Sequence, residues 1–392
     1  MNRTGTPRNS DDLSMGIDLG SQAVKFVLAE QSSSRNEIKG AVSYNVEHSY
    51  IEGGVVREPR KFARSLVAKC AEYDTQRATA VLSIPSNLAV LRWVTLPNLA
   101  GEELREAARF KVKRHLPFPV ESAYVQASTP VTDEENAVGQ SLVIAVRRDV
   151  VDSRAEAVEL AGINVVGAEL EAQAILRVVE LKLGERSALW RDASMTIIDI
   201  GANNTHMYVV QNQKLSFIRG VKFGGLRIAE SVAAEFNCSI TEADALLGKA
   251  DTHLTKEGVL NLTIGDLPAR LNVQTEVEKL TREFLRLLRY FRSMHAERSY
   301  AGILDHVLLC GGFASLNGLD GYLETVLGLR VERAKPFEGM VGKFNRETFE
   351  SIAGRQEAFT VAVGLALSGL DQKNQSIGDH LARREFAWAR SA

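Results

Sequence analysis

The chain has 392 residues, more than one hydrophobic core usually supports, so two or more lobes are expected. With 45% hydrophobic residues, 24% charged residues and a formal net charge of -2, it is neither disordered nor fibrous, and it has no global field to recruit nucleic acid or an anionic membrane. No stretch approaches the roughly 20 consecutive apolar residues of a membrane span.

The opening MNRTGTPRNSDDLS is polar throughout and lacks the apolar centre of a secretory signal, so residues 1–14 read as a disordered tail. In MGIDLGSQAVKFVLAE, residues 15–30, an apolar strand ends on Asp18-x-Gly20-Ser21 and a second apolar run returns, which predicts a hairpin. ATAVLSIPSN reads as another strand. In GEELREAARFKVKRH, Leu104, Ala108 and Val112 recur every four residues. Glu102 and Glu103 stand in the first turn and Lys113 and Arg114 in the last, as a helix dipole favours. The HLPFP segment stops this helix, and SLVIAVRRDVV, VVDSRAEAVELAG, INVVGAEL and EAQAILRVVELKL then read as strand, helix, strand and helix.

The second half opens on MTIIDIGANNTHMYVVQNQKLSFI, residues 195–218, which repeats the first design: apolar strand, Asp199-x-Gly201, small polar turn, returning strand. A separation of 181 residues between Asp18 and Asp199 is too long for a solenoid and suits two related halves. LRIAESVAAEF predicts a helix just beyond Gly224-Gly225, TEADALLG a short helix, and THLTKEGVLNLTIGDLP a polar insertion. In EVEKLTREFLRLLRYFRS, Val277, Leu280, Phe284, Leu287 and Phe291 form one stripe that must face a core. DHVLLCGGFASLNGLDGYLETVLG predicts a strand, the Gly311-Gly312 turn and a helix opening at that turn, and FTVAVGLALSG a compact apolar helix. Residues 371–392 read as a tail. Strands alternating with helices mean α/β.

Cys70, Cys238 and Cys310 are an odd number, widely spaced, without C-x-x-C, which suits reduced cytosolic thiols. The seven His show no H-E-x-x-H pairing, so no protein-built transition-metal centre is expected. The Arg282, Arg286, Arg289, Arg292 stripe is interleaved with acids and reads as a solvated face, not a nucleic-acid surface.

A triphosphate needs backbone N–H donors at close range and a divalent cation. Glycine permits the close approach, and a strand-end carboxylate can hold a metal through its water shell. Asp18, Gly20 and Ser21 supply this on one side; Asp199, Gly201 and Thr205 could on the other. The Gly311-Gly312 turn lets bare backbone pass a nucleoside. Each turn alone is an ordinary loop. Together, and in this order, they point to nucleotide binding.

That order of turns resembles the actin-like ATPase superfamily, which includes actin, the Hsp70 ATPase domain, sugar kinases and the division protein FtsA. The segments LRWVTLP, EELREAARFKVKRHLPFPVE, GAELEAQAILR, FGGLRIAESVAAEF and LTREFLRLLRYFRS before LLCGGFASLNGL are similar to the PilM family of type IV pilus assembly, over about residues 14–370. The resemblance implies an actin-like (ribonuclease H-like) duplicated two-lobe fold with an inserted FtsA/PilM-type subdomain. Lobe 1 would take residues 15–77 and 161–190, the subdomain 78–160, lobe 2 191–350, and a closing helix of lobe 1 351–370.

It further implies ATP with Mg2+ clamped between lobes. Asp18, Gly20, Ser21, Gln22, Lys25, Gly201, Asn203, Asn204, Thr205, Gly224, Gly225, Gly311, Gly312 and Phe313 would contact the nucleotide, and Asp18 and Asp199 would hold the metal through water. Glu171, at the head of EAQAILR, is the candidate catalytic residue, its plain alternative being a carboxylate that stabilises a helix N-terminus. No second base accompanies it, so tight binding with slow or absent hydrolysis is expected, the nucleotide setting conformation.

The implied partner is the N-terminal cytoplasmic tail of a PilN-like single-pass inner-membrane protein, met by Phe110, Leu116, Pro117, Phe118 and Pro119. Pilus motor ATPases and further copies of the chain are additional partners, and nucleic acid is not. The protein would be cytoplasmic, recruited peripherally to the inner membrane. Two departures from the family pattern stand out: GANNTH, where Asn203, Asn204 and His206 replace smaller Ser or Thr residues, and the basic run FKVKRH. An FtsA-like division or filament ATPase and a small-molecule kinase are the alternatives. For the former, DHLARREFAWAR is a weak membrane anchor with only Leu381, Phe386 and Trp388 as large apolar groups; the latter lacks a distinct Asp-bearing substrate loop.

Overall fold

The structure, a computed structural model, describes residues 13–32, 35–128, 130, 138–184, 194–211, 214–294, 306–342 and 344–374. Of the expected tails, 1–14 and 371–392, residues 1–12 and 375–392 lie outside these, whereas Leu13 and Ser14 already belong to a buried strand. Two compact units divide the chain: one holds described residues within Met1–Ala174, Met340–Phe349 and Ala362–Ala392, the other Ile175–Gly339 and Glu350–Val361.

In the first unit, β1 (Leu13–Leu19), β2 (Ala23–Ser32) and β3 (Arg35–Asn45) form an antiparallel meander. A two-residue pairing of β4 (Ile51–Glu52) with β5 (Val55–Val56) and helix α1 (Pro59–Cys70) lead to β6 (Thr79–Ile84), which runs parallel to β1. All seven residues of β1 are buried, as expected of a strand covered on both faces, and this explains its unbroken small and apolar run. Next come β7 (Ala89–Pro97), α2 (Gly101–Val112), β8 (Ala123–Ala127) and β9 (Val138–Arg147). The strands make a separate three-stranded sheet ordered β7-β9-β8. Leu104, Ala108 and Val112 of α2 pack there with Leu96, Ala123, Val143 and Ala145. The chain returns through α3 (Arg148–Glu159) to β10 (Asn164–Leu170), parallel to β6, and starts α4 (Glu171–Gly184). Of the stretch 78–160, then, Thr79–Ile84 is an inner strand of the six-stranded sheet, and the small sheet occupies Ala89–Arg147.

The second unit opens with β11 (Ser194–Ile200), β12 (Thr205–Gln211) and β13 (Lys214–Val221), again an antiparallel meander. Helices α5 (Leu226–Phe236) and α6 (Ile240–Leu247) follow, the latter opened by a Ser239–Glu242 capping box. The stretch expected as a polar insertion is instead a sheet of β14 (His253–Leu254), β15 (Val259–Ile264) and β16 (Leu267–Asn272). Its period-two pattern was hidden among polar residues, yet Leu260 and Leu262 turn inward together. Helix α7 (Gln274–Met294) buries Val277, Leu280, Phe284, Leu287 and Phe291 as its stripe predicts.

β17 (His306–Cys310) runs parallel to β11, and β18 (Val331–Arg333) parallel to β17. The Gly-Gly turn does not open an α-helix. Gly312–Ser315 form a single 3-10 turn, and α8 (Leu319–Leu327) starts only after Gly318, whose φ of +85° interrupts helical winding. A short β19 (Val341–Gly342) joins β3 of the first unit's sheet. The last two helices are α9 (Arg346–Ile352) and α10 (Thr360–Asn374), so Asp371–Asn374 continue a helix and are not tail.

The two main sheets repeat one plan. The order β3-β2-β1-β6-β10 and the order β13-β12-β11-β17-β18 have the same sequence of antiparallel and parallel pairings. The duplication inferred from two Asp-x-Gly hairpins is therefore a duplication of whole sheets.

Candidate functional site

In open α/β sheets the carboxyl ends of parallel strands form the customary binding edge. In the first unit, β1, β6 and β10 end together, and their ends carry Asp18, Ser86 and Glu171. Asp18 sits opposite Lys25 in the hairpin register, and Lys25 Nζ lies 3.3 Å from its Oδ2, both side chains almost buried. The turn between them is Gly20, Ser21 and Gln22, all half-buried. A Cβ on Gly20 would fall 2.7 Å from the Ala23 carbonyl oxygen, so only glycine fits the bend.

Behind the turn stands a residue that the chain reading passed over as one more helix charge. Arg154 of α3 is 1% exposed. Its guanidinium donates to three carbonyl oxygens, Gly54 at 2.9 Å, Leu19 at 3.2 Å and Ser83 at 2.9 Å. Burial pulls its pKa down to about 10, against the fields of Glu171 and Asp18. The Ser83 hydroxyl also accepts from Leu19 N–H at 3.0 Å. The end of β1 is thereby tied to β6 and α3 just before the Gly20–Gln22 turn.

Glu171, the first residue of α4, accepts from the Ser86 N–H at 3.1 Å, and the Ser86 hydroxyl accepts from Ala172 N–H at 3.3 Å. This reciprocal pair fixes the carboxyl group. Burial, and then the charge of Asp18, push it up to about 7, against the Ser86 bond, Arg154 and Lys25. A carboxyl group held there is shared between its two protonation states at neutral pH.

The second hairpin is held differently. Gly201 N–H donates to Asn204 O at 3.0 Å across the Gly201–Asn204 turn, and Gly201 O and Ala202 O accept from Gly225 N–H at 3.0 Å and Leu226 N–H at 2.9 Å. Gly224 and Gly225 are needed for this approach. A Cβ on Gly224 would lie 2.4 Å from Ala202 O, and one on Gly225 2.2 Å from the Phe313 ring. Gly311, with φ +94°, follows the strand position level with Asp199, and its Cβ would fall 2.3 Å from Asp199 Oδ1. Its N–H donates at 3.1 Å to the carbonyl of Glu357, a buried side chain whose pKa burial raises. Asp199 is 8% exposed, and across from it His206 is 5% exposed, its pKa lowered by burial and raised back in part by Asp199.

Within the second unit, Asp199, Gly201, Asn203, Asn204, Gly224, Gly225, Gly311 and Phe313 are thus brought together. Gly312 is exposed at the tip of its turn. Thr205 is placed there too, but as a buried strut: its hydroxyl donates to Phe223 O at 2.7 Å, which commits the only proton it could offer a phosphate. Phe313 rests on Gly225 and on the apolar core of its unit. Of the peptide-contact candidates, Leu116 and Phe118 pack on the small sheet's core and are half-buried, whereas Pro117 and Pro119 are exposed and Phe110 is 80% exposed.

The sequence profile of the type IV pilus assembly protein PilM family matches residues 16–370. The chain belongs to the PilM family. A solved PilM–PilN type IV pilus biogenesis complex resembles this PilM-family chain at 26% identity and a TM-score of 0.73, covering 91% of this chain and 98% of its own. Cell division protein FtsA of Streptococcus pneumoniae serotype 2 is 20% identical over 354 residues, 82% of this chain and 75% of FtsA. Ethanolamine utilization protein EutJ of Carboxydothermus hydrogenoformans shares the fold at 13% identity and a TM-score of 0.50, over 93% of this chain and 91% of its own. The PilM family's actin-like fold is the duplicated sheet plan described above. Among the described residues no helix is long and apolar enough to cross a membrane.

Proposed function

We propose that this type IV pilus assembly protein is an ATP-binding scaffold that captures the N-terminal cytoplasmic tail of a PilN-like membrane protein, the nucleotide setting its conformation. The reading is carried by one observation: each unit builds the same strand–Asp–Gly hairpin at the carboxyl edge of its sheet, with space that no Cβ could share at Gly20, Gly224, Gly225 and Gly311. Cradles of bare backbone suit phosphate, and two nearly buried carboxylates, Asp18 and Asp199, suit a divalent cation. When bound, ATP with its metal would supply the charge that holds both hairpins in one state. Gly20, Ser21 and Gln22 of the first turn and Gly201, Asn203 and Asn204 of the second would offer donors to it, and Lys25 would balance its charge.

Glu171 would be the group that orients a water, and its pKa of about 7 leaves it half protonated at neutral pH, a weak base. Turnover slower than about 1 per second follows, below the ordinary enzyme range. Exposed Phe110 on α2, with Pro117 and Pro119, would contribute to the peptide surface. The chain would then be cytoplasmic, drawn to the inner membrane by its partner. The test is calorimetry with ATP and Mg2+, together with capture of a synthetic peptide copied from the N-terminal cytoplasmic tail of a PilN-like membrane protein. Peptide capture that ATP strengthens supports the reading. Absence of nucleotide uptake, or equal capture with and without it, overturns it.

A further inference from the structure

His206 is one of the three residues of the second hairpin, with Asn203 and Asn204, that depart from the family pattern. It stands directly opposite Asp199 across the β11–β12 ladder. A carboxylate oxygen of Asp199 and a ring nitrogen of His206 lie within 4.8 Å of one another. The ring is 5% exposed, and its Nε2 is buried without a hydrogen-bond partner among the described residues.

The room for it is provided by Gly220 of β13, the residue level with His206. A Cβ there would fall 2.7 Å from His206 Cδ2 and 3.0 Å from Nε2. The strand therefore gives up a side chain at Gly220 to seat an imidazole whose Nε2 finds no partner among the described residues. A polar atom left unpaired at such a site is unfavourable unless a ligand satisfies it.

We propose that Asp199 and His206 form a mixed oxygen–nitrogen pair for a first-row transition ion, so that this chain prefers such an ion, with Mn2+ as the spectroscopic probe, to Mg2+. The chemistry decides between the two ions. Mg2+ demands a near-octahedral shell of oxygens and gives up its water reluctantly, whereas imidazole is a customary ligand of transition ions. With each ligand atom about 2 Å from the metal, a single ion bridges atoms up to about 4 Å apart, so the ring and the carboxylate, now within 4.8 Å, close slightly on it. Serine or threonine in place of His206 would remove the nitrogen and with it the preference. The role of such an ion with a nucleotide rests on the function proposed above, but the pair itself can be tested with metal alone.

The experiment is electron paramagnetic resonance of Mn2+ added to the full chain without nucleotide, with Mg2+ as competitor, followed by ATP. One bound Mn2+ is expected, displaced only by a Mg2+ excess of about tenfold or more, and His206→Ser should weaken Mn2+ by about tenfold while leaving Mg2+ within about twofold. Pulsed spectra of the unaltered protein guard against a variant that misfolds: a histidine nitrogen coupling to Mn2+ should appear, and should change when histidine carries 15N. Mn2+ no tighter than Mg2+, or no histidine coupling, overturns the proposal. ATP uptake without a Mn2+ preference would sink this inference alone; Mn2+ capture with histidine coupling but no ATP uptake would support it and sink the nucleotide reading.

Discussion

The two Asp-x-Gly hairpins share a plan but not a means of support. At the first, Asp18 faces Lys25 in an ion pair, and the strand end is tied down by side chains, the Arg154 guanidinium and the Ser83 hydroxyl. At the second, Asp199 faces a neutral-leaning His206, and the turn is tied down by backbone bonds to Gly225 and Leu226, with Gly224 and Gly311 packed against it. The first depends on charge and the second on the absence of side chains. Duplicated elements can therefore keep one geometry while differing in what would break them.

The sharpest way to break the first hairpin is Arg154→Ala. Three carbonyls lose a charged donor in a buried place, and about 4 kcal/mol of stability should go, read as a fall in the denaturant midpoint. Arg154→Lys should recover part of this, because an ammonium cannot reach three carbonyls in a fork. The matching cut in the second hairpin is Gly311→Ala. Its φ of +94° and the closeness of Asp199 Oδ1 predict a loss of about 3 kcal/mol by the same measurement. Equal tolerance at both sites would erase the distinction.

Glu171→Gln sharpens the comparison, because the Ser86 N–H, Asp18, Arg154 and Lys25 that act on Glu171 belong to the first unit. Its folded pKa of about 7 lies above the ordinary 4.5, so the folded state holds the proton more tightly than the unfolded state. Its stabilising contribution is full below about pH 4.5 and is lost as pH rises through about 7. The glutamine variant, permanently neutral, should be more stable than the parent at pH 8 by about 2 kcal/mol and gain little at pH 4. Any slow hydrolysis should rise about tenfold from pH 6 to pH 8 in the parent and lose that dependence in the variant. The smallest effect is expected at Phe110→Ala. A side chain that is 80% exposed should change stability by less than about 0.5 kcal/mol, yet peptide capture should weaken.

Much of this was legible in the chain because it is written locally. An apolar run ending on Asp-x-Gly is a strand and turn wherever it folds, and the stripe Val277 to Phe291 can only face a core. The glycines showed because close packing leaves no other residue type. Arg154 was not legible: within VVDSRAEAVE its charge looks like any solvated helix charge, and only carbonyls distant in sequence reveal it. Ser86 and Glu357 escaped for the same reason, since their partners lie far along the chain. The strands β14 to β16 are masked by charged and polar residues interleaved with their apolar ones, and the helix after the Gly-Gly turn starts late because Gly318, within SLNGLD, takes a left-handed conformation.

The central claim is that the Asp-x-Gly hairpins serve nucleotide binding. Calorimetric titration of ATP with a divalent cation into the full chain, Asp18→Ala and Asp199→Ala tests it most directly. The account predicts a single site in the parent and a loss of about tenfold or more in affinity, roughly 1.4 kcal/mol, from either substitution. A parent that takes up no ATP, or a variant that binds as the parent does, would contradict it.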